Sequence, residues 1–162
     1  MSLKYGCITP NPKGRQYPVA ASQYFAHEGE GFVHLDSSGH VTKSLTATAT
    51  IFGYVEAPAG VGAGAAGSTY WKSSATAGAD HVFVITDKNA EFLVPAPIAT
   101  TGAMLGGAWD IICVNDGVAG TADLDTSSTK VLIATELGTN VAHDAAASDV
   151  VVMINEAKRQ AD

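Results

Sequence analysis

The 162-residue chain predicts an all-β fold: a small antiparallel β-barrel or β-sandwich with an extended N-terminal arm. Two observations carry that expectation. Short β-branched and aromatic runs recur along the chain, separated by Gly, Pro, Asn and Asp turn chemistry. The first 20 residues hold Pro10, Pro12 and Pro18 with Gly6 and Gly14 between them. Proline removes an amide donor and biases its predecessor to extended geometry, so 1–20 reads as an arm and not a helix.

The elements follow in order. Gly31–Thr42 is a hairpin: alternation runs to Leu35, and Asp36-Ser37-Ser38-Gly39 supplies the turn. Ala49–Glu56 is a strand ended by Pro58, with Gly53 at a bulge or bend. Residues 59–79, rich in Gly, Ala, Ser and Thr, read as a flexible loop carrying a Tyr70-Trp71 island. Asp80–Thr86 is a strand, Asp87-Lys88-Asn89 turns it, and Glu91–Val94 pairs back, closed by Pro95 and Pro97. Strands are expected at Ala108–Val114, Thr129–Thr135 and Asp149–Asn155. Ala145–Ala147 and Glu156–Ala161 favour helix locally. The domain plan is an arm at 1–20, a β-rich body at 21–156 and a tail at 157–162.

Composition bounds the function. Apolar residues make up 46% and charged residues 15%, against a usual share of about a quarter, which excludes wholesale disorder. Aromatics are only 7%, so the monomer core is modest and association should supply part of the stability. Net charge is −7, which argues against direct nucleic-acid binding. The charge is uneven: residues 1–27 carry +3, from Lys4, Lys13 and Arg15, and residues 28–162 carry −10. A basic leader on an acidic body suggests that the leader touches a partner; a plainly solvated terminus is the alternative. Cys7 and Cys113 are too few for a disulfide scaffold. No secretory leader and no membrane span is expected, so the chain reads as made in a reducing compartment.

Gly62-Ala63-Gly64-Ala65-Ala66-Gly67 matches the dinucleotide glycine pattern, with Asp80 downstream. Ser68–Ser74 is no helix, however, so nothing would present an N-terminus to a pyrophosphate. Ser127-Ser128-Thr129-Lys130 matches a nucleophile motif that needs a helix, yet here it opens a strand. His27, Glu28, Glu30, His34, Asp36 and His40 form the densest group of metal-ligand types, but their place on a half-buried hairpin favours a polar face over a zinc site. Asp116, Asp123 and Asp125 read as turn formers, since calcium-loop spacing is absent. His81 and His143 have no evident partner. Two readings stand for Tyr70-Trp71-Lys72: an exposed interface, or a loop folded back so that Trp71 caps the barrel's open end.

The sequence of features resembles the decoration, or cement, proteins on the heads of tailed bacteriophages. The residues that carry the likeness are Phe25–Val33, Leu35–Val41, Ile51–Glu56, His81–Ile85, Glu91–Ala96, Leu105–Ile111, Ala122–Thr129 and Val150–Asn155. The resemblance implies a β-rich homotrimer on the capsid exterior, made in the host cytoplasm, that clamps neighbouring subunits of the major capsid protein. It implies no catalysis, no cofactor and no metal. The interface residues expected on this reading are Lys4, Tyr5, Lys13, Arg15 and Tyr17 of the arm, with Tyr70, Trp71 and Lys72. On that plan, removing residues 1–18 would abolish docking and leave the body folded. The alternative function is a carbohydrate-binding head or tail component that stacks sugars on Tyr70, Trp71 and Trp109.

Overall fold

Side chains on a strand alternate between its two faces, so a strand apolar at every position must be covered on both sides. That is the situation at the middle of one sheet of this protein, where Gly53, Tyr54 and Val55 are all buried. The computed structural model describes residues 5–26, 31–56, 70–116, 120–125, 127–138 and 148–161. In chain order the strands are β1 (Gly6–Cys7), β2 (Gly14–Pro18), β3 (Tyr24–Ala26), β4 (Phe32–Leu35), β5 (Val41–Lys43), β6 (Gly53–Val55) and β7 (Tyr70–Lys72). They continue as β8 (His81–Ile85), β9 (Phe92–Ala96), β10 (Ala108–Ile112), β11 (Thr121–Asp123), β12 (Leu132–Leu137) and β13 (Ser148–Ile154).

One sheet has the order β1-β9-β13-β12-β10-β11, a second the order β2-β8-β6-β4-β5, and β3 pairs with β7 as a separate ribbon. All these strand pairings are antiparallel. The all-β class expected from sequence is therefore observed, as a sandwich without a closed barrel among the described residues. Among those residues no helix is long and apolar enough to cross a membrane.

The second sheet lies between two cores. Phe32, Tyr54 and Ile85 pack toward the first sheet, against Phe92, Val94, Leu132, Val150 and Val152. Val33, Val55, Val82 and Val84 pack the other way, against Phe25 and Trp71 of the ribbon and against Tyr17 and Phe52. The rings of Phe32, Tyr54 and Phe92 join the sheets: Tyr54 stacks on Phe92 at 4.6 Å, and Phe32 meets both edge-on at 5.0 and 5.4 Å. Each such pair contributes about 0.5–1.5 kcal/mol beyond the area it buries.

Gly53 sits where β6 runs hard against its neighbour β8 in the same sheet. A Cβ there would lie 2.4 Å from the Ile85 carbonyl oxygen and 2.6 Å from Val84 Cγ1. Its role is close approach of two strands rather than the expected bulge. Lys43 is fully buried and takes part in polar or ionic contacts within the fold.

The hairpin at 31–42 forms as its turn chemistry dictates. Val33, His34 and Leu35 pair with Lys43, Thr42 and Val41. Asp36 Oδ1 accepts the amides of Ser38 at 2.8 Å and His40 at 3.0 Å, and Gly39 takes a φ of +78°.

Other expectations change. β9 does not pair back on β8: it pairs with β13 and β1, so the turn after β8 passes the chain from one sheet to the other. Ala90 and Phe92 enter the inter-sheet core, which the local turn alone does not reveal. Pro95 lies inside β9, beyond the end of β1, where the missing amide costs no ladder bond on that side. Tyr70–Lys72 is a strand, not loop; residues 59–69 of that expected loop lie outside the described residues. Thr121–Asp123, not expected as a strand, pairs with β10, and Asp123 at its end accepts the Asp125 amide, the turn-forming role read for it.

The chain ends are parts of the body as far as they are described. The 5–20 segment is extended, as expected, yet β1 joins one sheet and β2 the other, with Tyr17 and Val19 buried. Residues 157–161 do not hang free either. After a 3₁₀ turn at Glu156–Lys158, capped by the Asn155 side chain, Arg159 bridges in parallel to Ile51. The Gln160 side chain holds both backbone groups of Leu35, at 2.8 and 2.9 Å. Ala145–Ala147 lies outside the described residues.

Two outcomes follow for urea denaturation. Gly53→Ala should destabilise by about 1–3 kcal/mol, the usual cost of overpacking. Removing residues 1–18 should lower stability by about 3 kcal/mol or more, because it takes away buried Tyr17 and an outer strand of each sheet. A truncated chain with the full-length midpoint would show that the segment is a detachable arm after all.

Candidate functional site

Between the N-terminal run and the C-terminal segment lies an open groove of about 540 Å³. Its walls are set by backbone bonds between distant parts of the chain. The Lys13 carbonyl accepts the amides of Thr86 and Asp87 at 3.0 and 3.1 Å, and the Lys13 amide donates to Asp87 Oδ2 at 3.2 Å. β2 then runs along β8, from Gly14 opposite Ile85 to Pro18 opposite His81. On the other side the Ile51 amide donates to the Lys158 carbonyl at 2.9 Å, and the Gln160 amide to the Ile51 carbonyl at 2.8 Å.

Among the described residues four cations line the groove, Lys13, Arg15, Lys88 and Arg159, together with the carboxylate of Glu156, and the Asp87 carboxylate lies close to Lys13 and Arg159. Arg15 lies over the Tyr17 ring, 4.9 Å from its centroid, and its Nε donates to the Tyr17 hydroxyl at 2.5 Å. Tyr17 in turn meets Phe52 edge-on at 5.0 Å. Glu156 receives Lys88 Nζ on Oε1 and Arg159 Nε on Oε2, both at 2.9 Å. Lys88 first and Arg159 next hold its carboxyl below the usual value.

Arg159 differs from the other three. Its side chain is only 10% exposed, and its Nη1 is enclosed with no hydrogen-bond partner. An enclosed donor left unmet costs about 1–3 kcal/mol, and more when charged. A guanidinium offers paired donors that match the two oxygens of a carboxylate or phosphate. The groove thus has the chemistry to hold an anionic group.

Of the residues expected at an interface, the structure brings Lys13, Arg15 and Tyr17 together here. Tyr5 is half-buried, with its phenol pushed up by burial and then by Asp149; Lys4 lies outside the described residues. Tyr70 and Lys72 sit on the ribbon instead. Tyr70 lies 5.4 Å from Tyr24, whose ring is 5.0 Å from Lys72 Nζ. Trp71 points inward at 1% exposure and stacks on Phe25 at 5.9 Å, so it is no surface contact, but it sits on a strand of the ribbon and not on a loop over a barrel end. Trp109 is half-buried and donates its ring N–H to the Met104 carbonyl at 3.0 Å. Lys88, Glu156 and Arg159 were not anticipated. No local pattern marks them, because only the β2–β8 register and the Ile51–Arg159 bridge bring them near Arg15.

The other motifs resolve into local structure. Among the described residues no three metal-ligand side chains converge. His34 Nδ1 lies 3.4 Å from Ser44 Oγ, with burial lowering its pKa, and His40 lies 3.7 Å from Asp36. His27, Glu28, Glu30, His143 and the 62–67 glycine pattern lie outside the described residues. Asp80 accepts the Ser74 amide, and Asp123 the Asp125 amide at 3.2 Å. Neither cysteine is in a disulfide, and burial pushes the Cys7 thiol up.

Ser128-Thr129-Lys130 forms no nucleophile site. The buried Asp110 carboxylate accepts all three amides, at 2.9, 2.8 and 2.7 Å, and Lys130 takes a φ of +58°. This displaces the expected strand to Leu132–Leu137. Burial raises the Asp110 pKa, but the bonds from Lys130, Thr129 and Ser128 together outweigh it and hold the carboxyl below its ordinary 3.8.

Compared with family models, with curated proteins and with solved structures, the chain matches none.

A carboxyl depressed by folding stabilises above its unfolded pKa, and that contribution fades as pH falls through the native value. Asp110→Asn should therefore lose about 2 kcal/mol at neutral pH, on the scale of charge-assisted bonds. Its urea midpoint should converge on that of the wild type below pH 3.8. A constant gap between the two from pH 7 to pH 3 would assign the loss to packing.

Proposed function

We propose that the chain is a structural decoration protein that binds the outside of a phage head and holds neighbouring major capsid protein subunits together. The observation that carries this reading is the basic groove. Four cations gather on one surface of a chain whose net charge is −7. Complementary charge steers association and sets its register more than it sets raw affinity. The groove walls are backbone-pinned, so docking would order few new residues and lose little entropy.

The clamp acts by mass action: a bound copy stabilises the state of the shell that presents its site. Trimerisation would multiply that effect, since three linked sites engage together at high effective concentration. The carbohydrate reading has one supporting observation, the outward pair Tyr24 and Tyr70. It lacks Trp71, which is buried.

The direct test is sedimentation of the purified chain with undecorated phage heads built from a major capsid protein. Saturable occupancy is expected, together with a solution mass three times the 16.6 kDa chain. Lys13→Glu should reduce occupancy, and added salt should do the same. A monomer that leaves heads bare would end the proposal, and a saturable fluorescence shift with glycans would favour the alternative.

A further inference from the structure

We infer that the groove receives an extended acidic polypeptide segment, whose carboxylates pair with Arg159, Arg15, Lys13 and Lys88. The inference names the chemistry of the partner in the docking reading and rests on that reading. Three observations carry it. First, Arg159 is nine-tenths buried, lines the groove, and keeps Nη1 without a partner although its Nε is held by Glu156. Nη1 itself is closed off, so a carboxylate in the groove meets the guanidinium on the tenth of the side chain that stays exposed, and reaches Nη1 when the C-terminal wall gives.

Second, Lys13 and Arg15 stand two residues apart in an extended run. Side chains two apart on a strand recur every ~6.6 Å, which is also the repeat of alternate side chains on an extended ligand. An occupant with acids at every second position would meet both cations in register. β2 is the end strand of its sheet, and among the described residues it has β8 as its one strand partner. Main-chain pairing along that edge would add directional bonds.

Third, the groove is larger than a small anion requires. A water takes about 30 Å³ in the liquid, whereas the groove measures about 540 Å³ and includes the rings of Tyr17 and Phe52. Those rings suit the apolar stems and backbone of a peptide. A nucleic-acid strand would carry its charge beyond the groove onto a chain of net −7.

The test uses the full chain and a labelled peptide alternating glutamate with threonine, followed by fluorescence anisotropy. Saturable binding is expected, weakened about tenfold when glutamine replaces glutamate in the peptide. Lys88→Gln, at a site 71% exposed and remote from the core, should weaken it about threefold, the scale of one exposed ion pair. Arg15→Gln should do likewise, with circular dichroism confirming the fold. Equal binding of the glutamine peptide, or indifference to both substitutions, would overturn the inference. So would displacement at equal concentration by inorganic phosphate, which means a small-anion site, or tighter binding of a single-stranded oligonucleotide. Heads bound normally by a chain that ignores the acidic peptide would sink this inference alone. Peptide binding without head binding would sink the decoration reading alone.

Discussion

The middle of the sheet β2-β8-β6-β4-β5 is buried on both faces, along Phe32, Val33, Gly53–Val55, Val84 and Ile85, and the remaining architecture answers that constraint. A two-sided apolar sheet is unstable in water unless each face finds a cover. One face is covered by the larger sheet, through Phe32, Tyr54 and Phe92. The other is covered by the β3–β7 ribbon, whose Phe25 and Trp71 close a second core over Val33, Val55 and Val84. Gly53 lies in this buried middle, where the neighbouring strand β8 leaves no room for a Cβ. With few aromatic residues to spend, the protein places most of its large rings at these two interfaces.

Charge is used in a second, separate way. Asp36, Asp87 and Asp110 each turn a carboxylate onto nearby backbone amides and so fix a bend. Amides at a tight turn have no ladder partner, and a carboxylate meets several at once. Part of the acidic excess is thus structural. The cations are distributed differently: Lys13, Arg15, Lys88 and Arg159 gather at one groove. Carboxylates that serve turns and cations that line a surface explain how an acidic chain presents a basic patch.

Local chemistry was legible in the sequence and long-range pairing was not. The hairpin around Asp36-Ser37-Ser38-Gly39 could be read because its turn is specified by four adjacent residues. The β8–β9 connection misled because its turn residues suit a hairpin, while the choice of sheet is made by Phe92 packing in a core assembled from later strands. Trp71 sat in a stretch of small residues that looks like loop; only its pairing partner Phe25, 46 positions earlier, makes it core. Half of the groove was visible as the basic leader, through Lys13 and Arg15. The other half was not, because Lys88 belongs to a turn and Arg159 to an apparent tail.

The two halves of the groove are also held in different ways, and that difference bears on what a ligand would do. β2 is fastened to β8 by a five-residue ladder, whereas the Arg159 segment is held by a single parallel bridge and the Gln160 clamp on Leu35. Fewer bonds mean a lower local opening free energy, so the C-terminal wall should open before the N-terminal one. An anion bridging Arg15 and Arg159 would tie the weaker wall to the stronger, and Nη1, which lacks an acceptor while enclosed, could gain one as that wall gives. Binding would then stabilise the C-terminal segment most, because that is where unfolding competes with occupancy. The same linkage makes the groove sensitive to whatever holds Glu156: its carboxylate already spans Lys88 and Arg159, and an incoming acid must share those cations without displacing it.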